Sequence, residues 1–377
     1  MYLSIKRIIF IFLALFISSF FLTSKVFAQQ TIQASKLHYD FMKAKVIQDN
    51  GEKVNPYSDY GQTFQLLDVQ ILDGVDVGKT VEVEYDTQHV DDLKLKPGDT
   101  VILSKSFTSP SDIQYTITDK YRSSGIIFIL FVFVAIVILV IGWKGLGSII
   151  GLCISLAIIF LYIIPQILSG QNPLFVIFIG ALGILLLTTY IAHGFSKQTT
   201  IALVSTFCAL LLTVLISMIA SKIALLTGFG DDNAKSIHFA TKSLIDVRGL
   251  LLGGIILGTL GALNDVTTTQ VATMFALEKA SGDVTFKSIV KQGFIIGREH
   301  VASIINTLVL AYAGSSLAVF IFIFYNSSYY PMWVIFNSEL LNEEIIRTVS
   351  GTIGLILVVP IVTLLTGFIL TRKKDNK

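Results

Sequence analysis

Long apolar runs dominate the chain from Gly125 to its C-terminal end. An α-helix of about 20 apolar residues is long enough to span the hydrocarbon core of a bilayer. The sequence therefore predicts a polytopic α-helical membrane protein with the lipid bilayer as its surroundings. Seven transmembrane helices are expected, at residues 125–142, 147–168, 174–192, 201–221, 248–269, 300–324 and 349–371.

Residues 29–120 have a different pattern, in which apolar and polar positions alternate or nearly alternate. This pattern is clearest over Gln65–Leu72 and Thr80–Tyr85, and turn residues at Asp73-Gly74 separate the two stretches. Another turn, at Pro97-Gly98, leads into a further apolar stretch. Period-two alternation bounded by turns is typical of β-strands. We therefore expect a small all-β domain, most simply an OB-like barrel of five or six strands.

The N-terminal 28 residues have the layout of a secretory signal peptide. Lys6 and Arg7 precede an apolar stretch over residues 8–22, and Val26-Phe27-Ala28 offers small or aliphatic residues at the positions that signal peptidase reads. We interpret residues 1–28 as a cleaved signal peptide, with Gln29 as the mature start. The alternative is an uncleaved signal anchor, and either one exports the β domain.

Basic residues predict the orientation of the membrane domain, residues 121–377. Seven crossings that start outside leave the C-terminus in the cytoplasm, and cytoplasmic loops are usually enriched in Lys and Arg. The cations that this orientation places inside are Lys144, Lys197, Lys279, Lys287, Lys291, Arg298, Arg372, Lys373, Lys374 and Lys377.

Residues 271–296, between the fifth and sixth runs, contain an amphipathic segment. Phe286, Ile289 and Gly293 share one helical face, whereas Lys287 and Lys291 lie off it. One interpretation is a basic helix that lies on the inner membrane surface. The other is a helix that packs against the bundle from the cytoplasmic side.

Composition excludes several function classes. Of the 377 residues, 53% are hydrophobic and 14% are charged, and the net charge is +2. Nucleic-acid binding requires a concentrated basic surface, so we expect no nucleic-acid partner. The two cysteines lie inside apolar runs, and neither a CxxC nor an HExxH pattern occurs, so we expect no metal and no cofactor.

Asp265 is the most informative residue, because it lies inside the fifth apolar run. A carboxylate within a membrane is costly unless it has a partner or a water-filled cavity, and is a functional site by default. The neighbouring side chains add an amide and two hydroxyls, an oxygen-rich set that suits a small cation or a proton relay. The candidate residues on this helix are Asn264, Asp265, Thr268 and Thr269.

The sixth run begins with ionisable residues at a similar depth. Arg298, Glu299 and His300 open it, and Glu299, Ser303 and Asn306 fall on one helical side. We hypothesise that Asp265 meets Arg298 or His300 across the bundle. The alternative is an interior ion pair that only orients two helices.

Small residues on the fifth helix predict close helix packing. Gly254, Gly258 and Ala262 recur every fourth residue, and Gly261 adds another small side chain. Such spacing lets helix backbones approach each other. These residues could also leave room for a passage beside Asp265.

Residues 337–347 have charges at helical spacing, with Glu339 and Glu343 four residues apart and Glu344 and Arg347 three apart. This spacing predicts a helix that dips toward the bundle or caps it. Solvated pairing is the ordinary explanation for these charges, and a gate or cation-gathering rim is the alternative.

Five further motifs lie at residues 189–196, 246–254, 258–267, 297–303 and 306–314. Together they resemble the YibE/F family of bacterial multi-spanning membrane proteins. The resemblance implies this topology and a bacterial plasma membrane, with the β domain extracytoplasmic, but it implies no substrate. Members of this family commonly have two acidic residues where this chain has Asn264-Asp265.

Two functions from different classes fit these observations. The first is an ion- or proton-coupled transporter or permease with Asp265 as its coupling site. The second is a non-transporting envelope assembly or scaffold protein, whose exported β domain binds an envelope or membrane protein. We do not expect an enzyme, since His300 with Ser303 is the only rough pairing of a base with a nucleophile.

Overall fold

The computed structural model describes residues 39–54, 63–86, 94–109, 112–242, 244–281 and 285–372. These residues form two compact units that divide near residue 140. One unit holds five strands and the first long helix, and the other holds the remaining helices. The predicted signal peptide, residues 1–28, lies outside the described residues.

The first unit contains one antiparallel sheet with the strand order β3-β2-β1-β4-β5. The predicted alternation over Gln65–Leu72 is confirmed, because every second residue of β2 from Gln65 to Ile71 is buried. β1 has two register irregularities against β2, and such bulges bend a strand and increase its twist. The sheet therefore curves into a half-barrel around its core. The strands are β1 (Tyr39–Val54), β2 (Thr63–Ile71), β3 (Thr80–Asp86), β4 (Thr100–Ser109) and β5 (Asp112–Lys120).

Asp76, in the turn between β2 and β3, anchors that turn to the β4–β5 hairpin. The Lys105 ammonium forms an ion pair with its carboxylate, and the Tyr115 hydroxyl donates a hydrogen bond to it at 3.0 Å. The hydrogen bond from Lys105 and, to a smaller extent, that from Tyr115 lower the pKa of Asp76. A carboxyl whose pKa is lower in the folded state stabilises the fold above its unfolded pKa, and this contribution is lost as the pH falls through the folded pKa.

We predict that Asp76→Asn removes part of the acid sensitivity of this turn. Lowering the pH from 6 to below about 4 should increase exchange in β4 and β5 of the native chain more than in the variant. Hydrogen–deuterium exchange, corrected for the intrinsic rate at each pH, measures this difference. Glu82→Gln is the control, because it makes the same kind of change at an exposed residue of β3 that lies outside this turn. Equal acid responses in the native chain and Asp76→Asn would contradict the prediction.

Among the described residues, seven helices are long and apolar enough to cross a membrane, which agrees with the predicted number of spans. The first, α1 (Ser123–Ile141), is apolar on all sides and has no buried residue. The second consists of α2 (Trp143–Ile158), a π-helical turn (Ile159–Ile163) and α3 (Ile164–Leu168). The remaining helices are α4 (Pro173–His193), α5 (Lys197–Ile223), α6 (Asp232–Ala240), α7 (Val247–Ser281), α8 (Phe286–Ser315), α9 (Leu317–Asn326), α10 (Met332–Phe336) and α11 (Glu339–Arg372).

The last three spans differ in their ends from the predicted runs 248–269, 300–324 and 349–371. Helix α7 continues to Ser281, and α8 begins at Phe286, so the predicted amphipathic segment 271–296 is divided between two long helices. Ile289 of this segment is buried with Met274 and Leu370, which agrees with the interpretation that it packs against the bundle. Helix α8 ends at Ser315, and the apolar residues that follow form the short helix α9.

Helix α7 is the central element of the second unit. It packs against α4, α5, α8 and α11, and its buried residues alternate with exposed ones at helical spacing. The main core lies between these helices and includes Ile177, Leu210, Leu263 and Val358. The candidate residues Asn264, Asp265, Thr268 and Thr269 are therefore carried by a helix that packs against four other long helices.

Candidate functional site

One face of α7 is lined by small residues and exposed along much of its length. Gly254, Gly258, Gly261, Asp265 and Thr269 all lie on it, at spacings of three or four residues. A side chain added at Gly254 or Gly261 would meet no atom within 4 Å, so these two glycines do not sit at a contact between described helices. The predicted packing role applies instead to Ala262, which is partly buried against the core.

Gly258 has one neighbour on this face. A Cβ atom at Gly258 would lie 2.9 Å from the hydroxyl oxygen of Tyr312, which comes from α8. This hydroxyl is buried and has no hydrogen-bond partner among the described residues. Because Gly258 has no side chain, the hydroxyl end of the Tyr312 ring can lie against α7, about two helical turns from Asp265.

Asn264 and Asp265 point in different directions, although they are adjacent. The Oδ1 atom of Asn264 accepts a hydrogen bond from the buried Thr189 hydroxyl of α4 at 3.0 Å, whereas Asp265 lies on the exposed face. The Thr268 hydroxyl donates to the backbone oxygens of Asn264 and Asp265 at 2.9 and 3.1 Å, and not to the carboxylate. Within the described residues, no group of three or more His, Cys, Asp or Glu residues could hold a metal ion.

Two histidines lie within electrostatic range of the Asp265 carboxylate. One is His300 of α8, and the other is His193, the last residue of α4. Helix α4 stops at His193 because Gly194 follows with a φ of 70°, a backbone conformation that favours glycine. Nothing in the sequence around His193 signals that this residue approaches α7.

Arg298 and Glu299 directly precede His300 on α8, and both are exposed. Within the part of the chain that the structure describes, no ion pair joins Asp265 to Arg298 or to His300. Glu299, Ser303 and Asn306 do share an exposed face of α8, as their spacing predicted. The structure therefore places Asp265 near imidazoles without pairing it to a fixed charge.

Buried polar side chains fix the position of α7 next to this face. The Thr206 hydroxyl of α5 is hydrogen-bonded to that of Thr267, and Gln270 donates to the Gly293 carbonyl at 2.7 Å and to the Thr363 hydroxyl at 2.9 Å. Together with the bond from Thr189 to Asn264, these contacts join α7 to four other helices within two turns.

Gln270 makes two of these contacts and was not a sequence candidate. Only 2% of the Gln270 residue is exposed, and its amide lies against both α8 and α11.

We predict that Gln270→Leu lowers the free energy of unfolding by about 1–2 kcal/mol, because two buried interhelical hydrogen bonds are lost. Thermal unfolding of the detergent-solubilised protein measures this. Gln292→Leu is the matched control, since Gln292 is seen to bond within the described residues only to Ser288 of its own helix, at 3.4 Å. Equal losses in both variants would contradict the prediction.

The first turns of α11 hold the loop between α5 and α6. Glu339 accepts hydrogen bonds from the backbone N–H groups of Thr227 and Gly228, and the buried Glu343 accepts one from Gly230 at 2.9 Å. Glu344 and Arg347 form the predicted i,i+3 ion pair at 2.8 Å. The predicted helix is therefore present over this segment, as the start of the seventh span and not as a separate helix.

Seven membrane-length helices, with a polar face on the central one and a separate β domain, define a polytopic membrane protein. The sequence profile of the YibE/F-like protein family matches residues 129–372, well over half of the 377 residues. The chain belongs to this family. Neither the curated proteins nor the solved structures contain a match.

Proposed function

We propose that this protein is an ion- or proton-coupled transporter and that Asp265 is its coupling site. One observation carries the proposal: Asp265 lies on a glycine-lined, exposed face of a membrane-length helix and has no ion-pair partner among the described residues. A carboxylate in a membrane helix is expensive unless water, a cation or a proton reaches it. The glycines leave space along the helix for such access.

The two histidines support a role for protons. Imidazole is the side chain that ordinarily exchanges protons in the physiological pH range. His193 and His300 come from two different helices, and both lie within electrostatic range of the same carboxylate. A proton could therefore be passed between these imidazoles and Asp265, while Asn264 is occupied by its bond from Thr189. The site then has one carboxylate to carry the coupled charge.

The proposal includes the surroundings of the site. The protein would lie in the bacterial plasma membrane, with its C-terminus in the cytoplasm and its β domain outside, as the charges and the signal-like N-terminus predict. The β domain would be an OB-like barrel, and the five antiparallel strands and their curvature support this assignment. The activity would be transport and not enzymatic catalysis.

The direct test is charge movement in proteoliposomes that contain the full chain. Currents on a solid-supported membrane would be recorded after pH jumps and after jumps in Na⁺, K⁺, Mg²⁺ and Ca²⁺, with empty liposomes as the reference. We expect a current for protons or for one of these cations. No current under any gradient would reject the proposal and favour the envelope assembly function, in which the β domain binds a protein partner.

A further inference from the structure

A cleft lies at the end of the bundle formed by the start of α4, the end of α5 and the start of α7. Its volume is about 500 Å³, which is in the range of ligand-binding pockets. It is far along α7 from Asp265, since its α7 residues are Arg248, Gly249 and Leu252. The proposed transport site does not include any residue of this cleft.

Two cations line the cleft without a carboxylate partner. Lys222 comes from the last turn of α5 and Arg248 from the first turn of α7, and both are exposed. In the described parts of the chain, neither forms an ion pair. Asp246 is the one acidic residue of the lining, and its carboxylate accepts a hydrogen bond from the Arg248 backbone N–H at 3.1 Å. The two side-chain cations are therefore available to an anion.

The remaining wall of the cleft is mostly apolar and continues onto the outer surface of the bundle. Leu174 and Leu252 line it from α4 and α7, and Leu215, Met218 and Ile219 line it from α5. The three α5 residues are 53%, 44% and 51% exposed, respectively. In a membrane protein, exposed aliphatic residues one to two turns below a helix end face lipid chains.

We propose that this cleft binds the phosphate headgroup of an anionic phospholipid, with an acyl chain along the α5 wall. A guanidinium can bind phosphate oxygens in a bidentate manner, and an ammonium adds a second positive charge. Basic pockets between membrane helices are suited to anionic headgroups. A soluble anion would contact only the two cationic side chains. A lipid would also cover the exposed side chains of Leu215, Met218 and Ile219 with its acyl chain.

The test is lipid binding to the purified full chain, measured by native mass spectrometry after release from detergent. Phosphatidylglycerol and phosphatidylcholine with identical acyl chains are the probes. We expect the native protein to prefer phosphatidylglycerol by about tenfold, and the double variant Lys222→Gln/Arg248→Gln to lose this preference. The measurement needs no transport, so a failure of the transport proposal leaves it interpretable.

The control variant is Lys235→Gln/Lys242→Gln, which removes the same charge from the segment between α5 and α7. Lys235 is paired with Asp232, and neither lysine lines the cleft. The control should keep the native preference. The proposal is overturned if Lys222→Gln/Arg248→Gln keeps the preference for phosphatidylglycerol. It is also overturned if glycerol phosphate displaces the lipid at equal concentration, because the ligand would then be a soluble anion.

Discussion

Asp265→Asn is expected to reduce the charge movement of the reconstituted protein by about tenfold or more, because asparagine can neither hold the charge nor exchange the proton that coupling requires. The two side chains have nearly the same size. Asp265 lies on the exposed face of α7 and forms no ion pair within the described residues, so the change removes no contact that holds the bundle together. We therefore expect the unfolding temperature to stay within the range of a neutral surface substitution.

This combination separates transport from the alternative in which Asp265 only orients two helices. A structural ion pair predicts the opposite result, a lower unfolding temperature, because breaking such a pair leaves an uncompensated charge. Currents and unfolding temperatures should be compared at equal protein per liposome. A native-sized current in Asp265→Asn would reject the coupling role.

Asp232→Asn is the matched control for this experiment. It makes the same chemical change on α6, where the Asp232 side chain is 94% exposed and is paired with Lys235. The α6 segment lies outside the membrane-length helices. We expect native current in this variant, and an equal loss in both variants would indicate a general charge effect and not a coupling site.

The seven membrane-length helices of the described residues and the strands β2, β3 and β4 could be predicted from the sequence, because the length or the periodicity of the apolar runs determines them. A run of about 20 apolar residues has few alternatives to a membrane span, and period-two alternation has few alternatives to a strand. The ends of α7, α8 and α11 could not be predicted in this way. Polar or charged residues continue each of these helices beyond its apolar run, and hydropathy does not distinguish such an extension from a loop.

The sequence predicted which candidate residues share a helix face, but not what surrounds each face. Spacing alone placed Glu299, Ser303 and Asn306 on one face, and the structure confirms this. Whether a face meets another helix depends on tertiary packing, which a stripe of small residues does not reveal. The same limit applies to His193, because its approach to Asp265 results from the packing of α4 against α7.

Gly354 shows where close helix packing does occur, and its replacement is expected to have the largest effect on stability. This residue of α11 is buried against Thr213 of α5, whose side chain is completely buried. A Cβ atom at Gly354 would lie 3.0 Å from both Cβ and Cγ2 of Thr213, and closer still to Oγ1. Rotation of the Thr213 side chain cannot relieve the contact with Cβ, and it would break the bond from Oγ1 to the Ala209 carbonyl.

We predict that Gly354→Val lowers the free energy of unfolding by about 3 kcal/mol or more, because the added atoms force α5 and α11 apart in a close-packed interface. Gly254→Val is the matched control, since a side chain at Gly254 meets nothing within 4 Å. Both changes place the same β-branched residue in a helix of similar length, so their difference measures the clash itself. Thermal unfolding in detergent should show a clear loss for Gly354→Val alone. Equal stability of the two variants would mean that α5 and α11 do not meet at Gly354. If Gly254→Val were the less stable variant, the glycine face of α7 would be a packing surface and not an open path to Asp265.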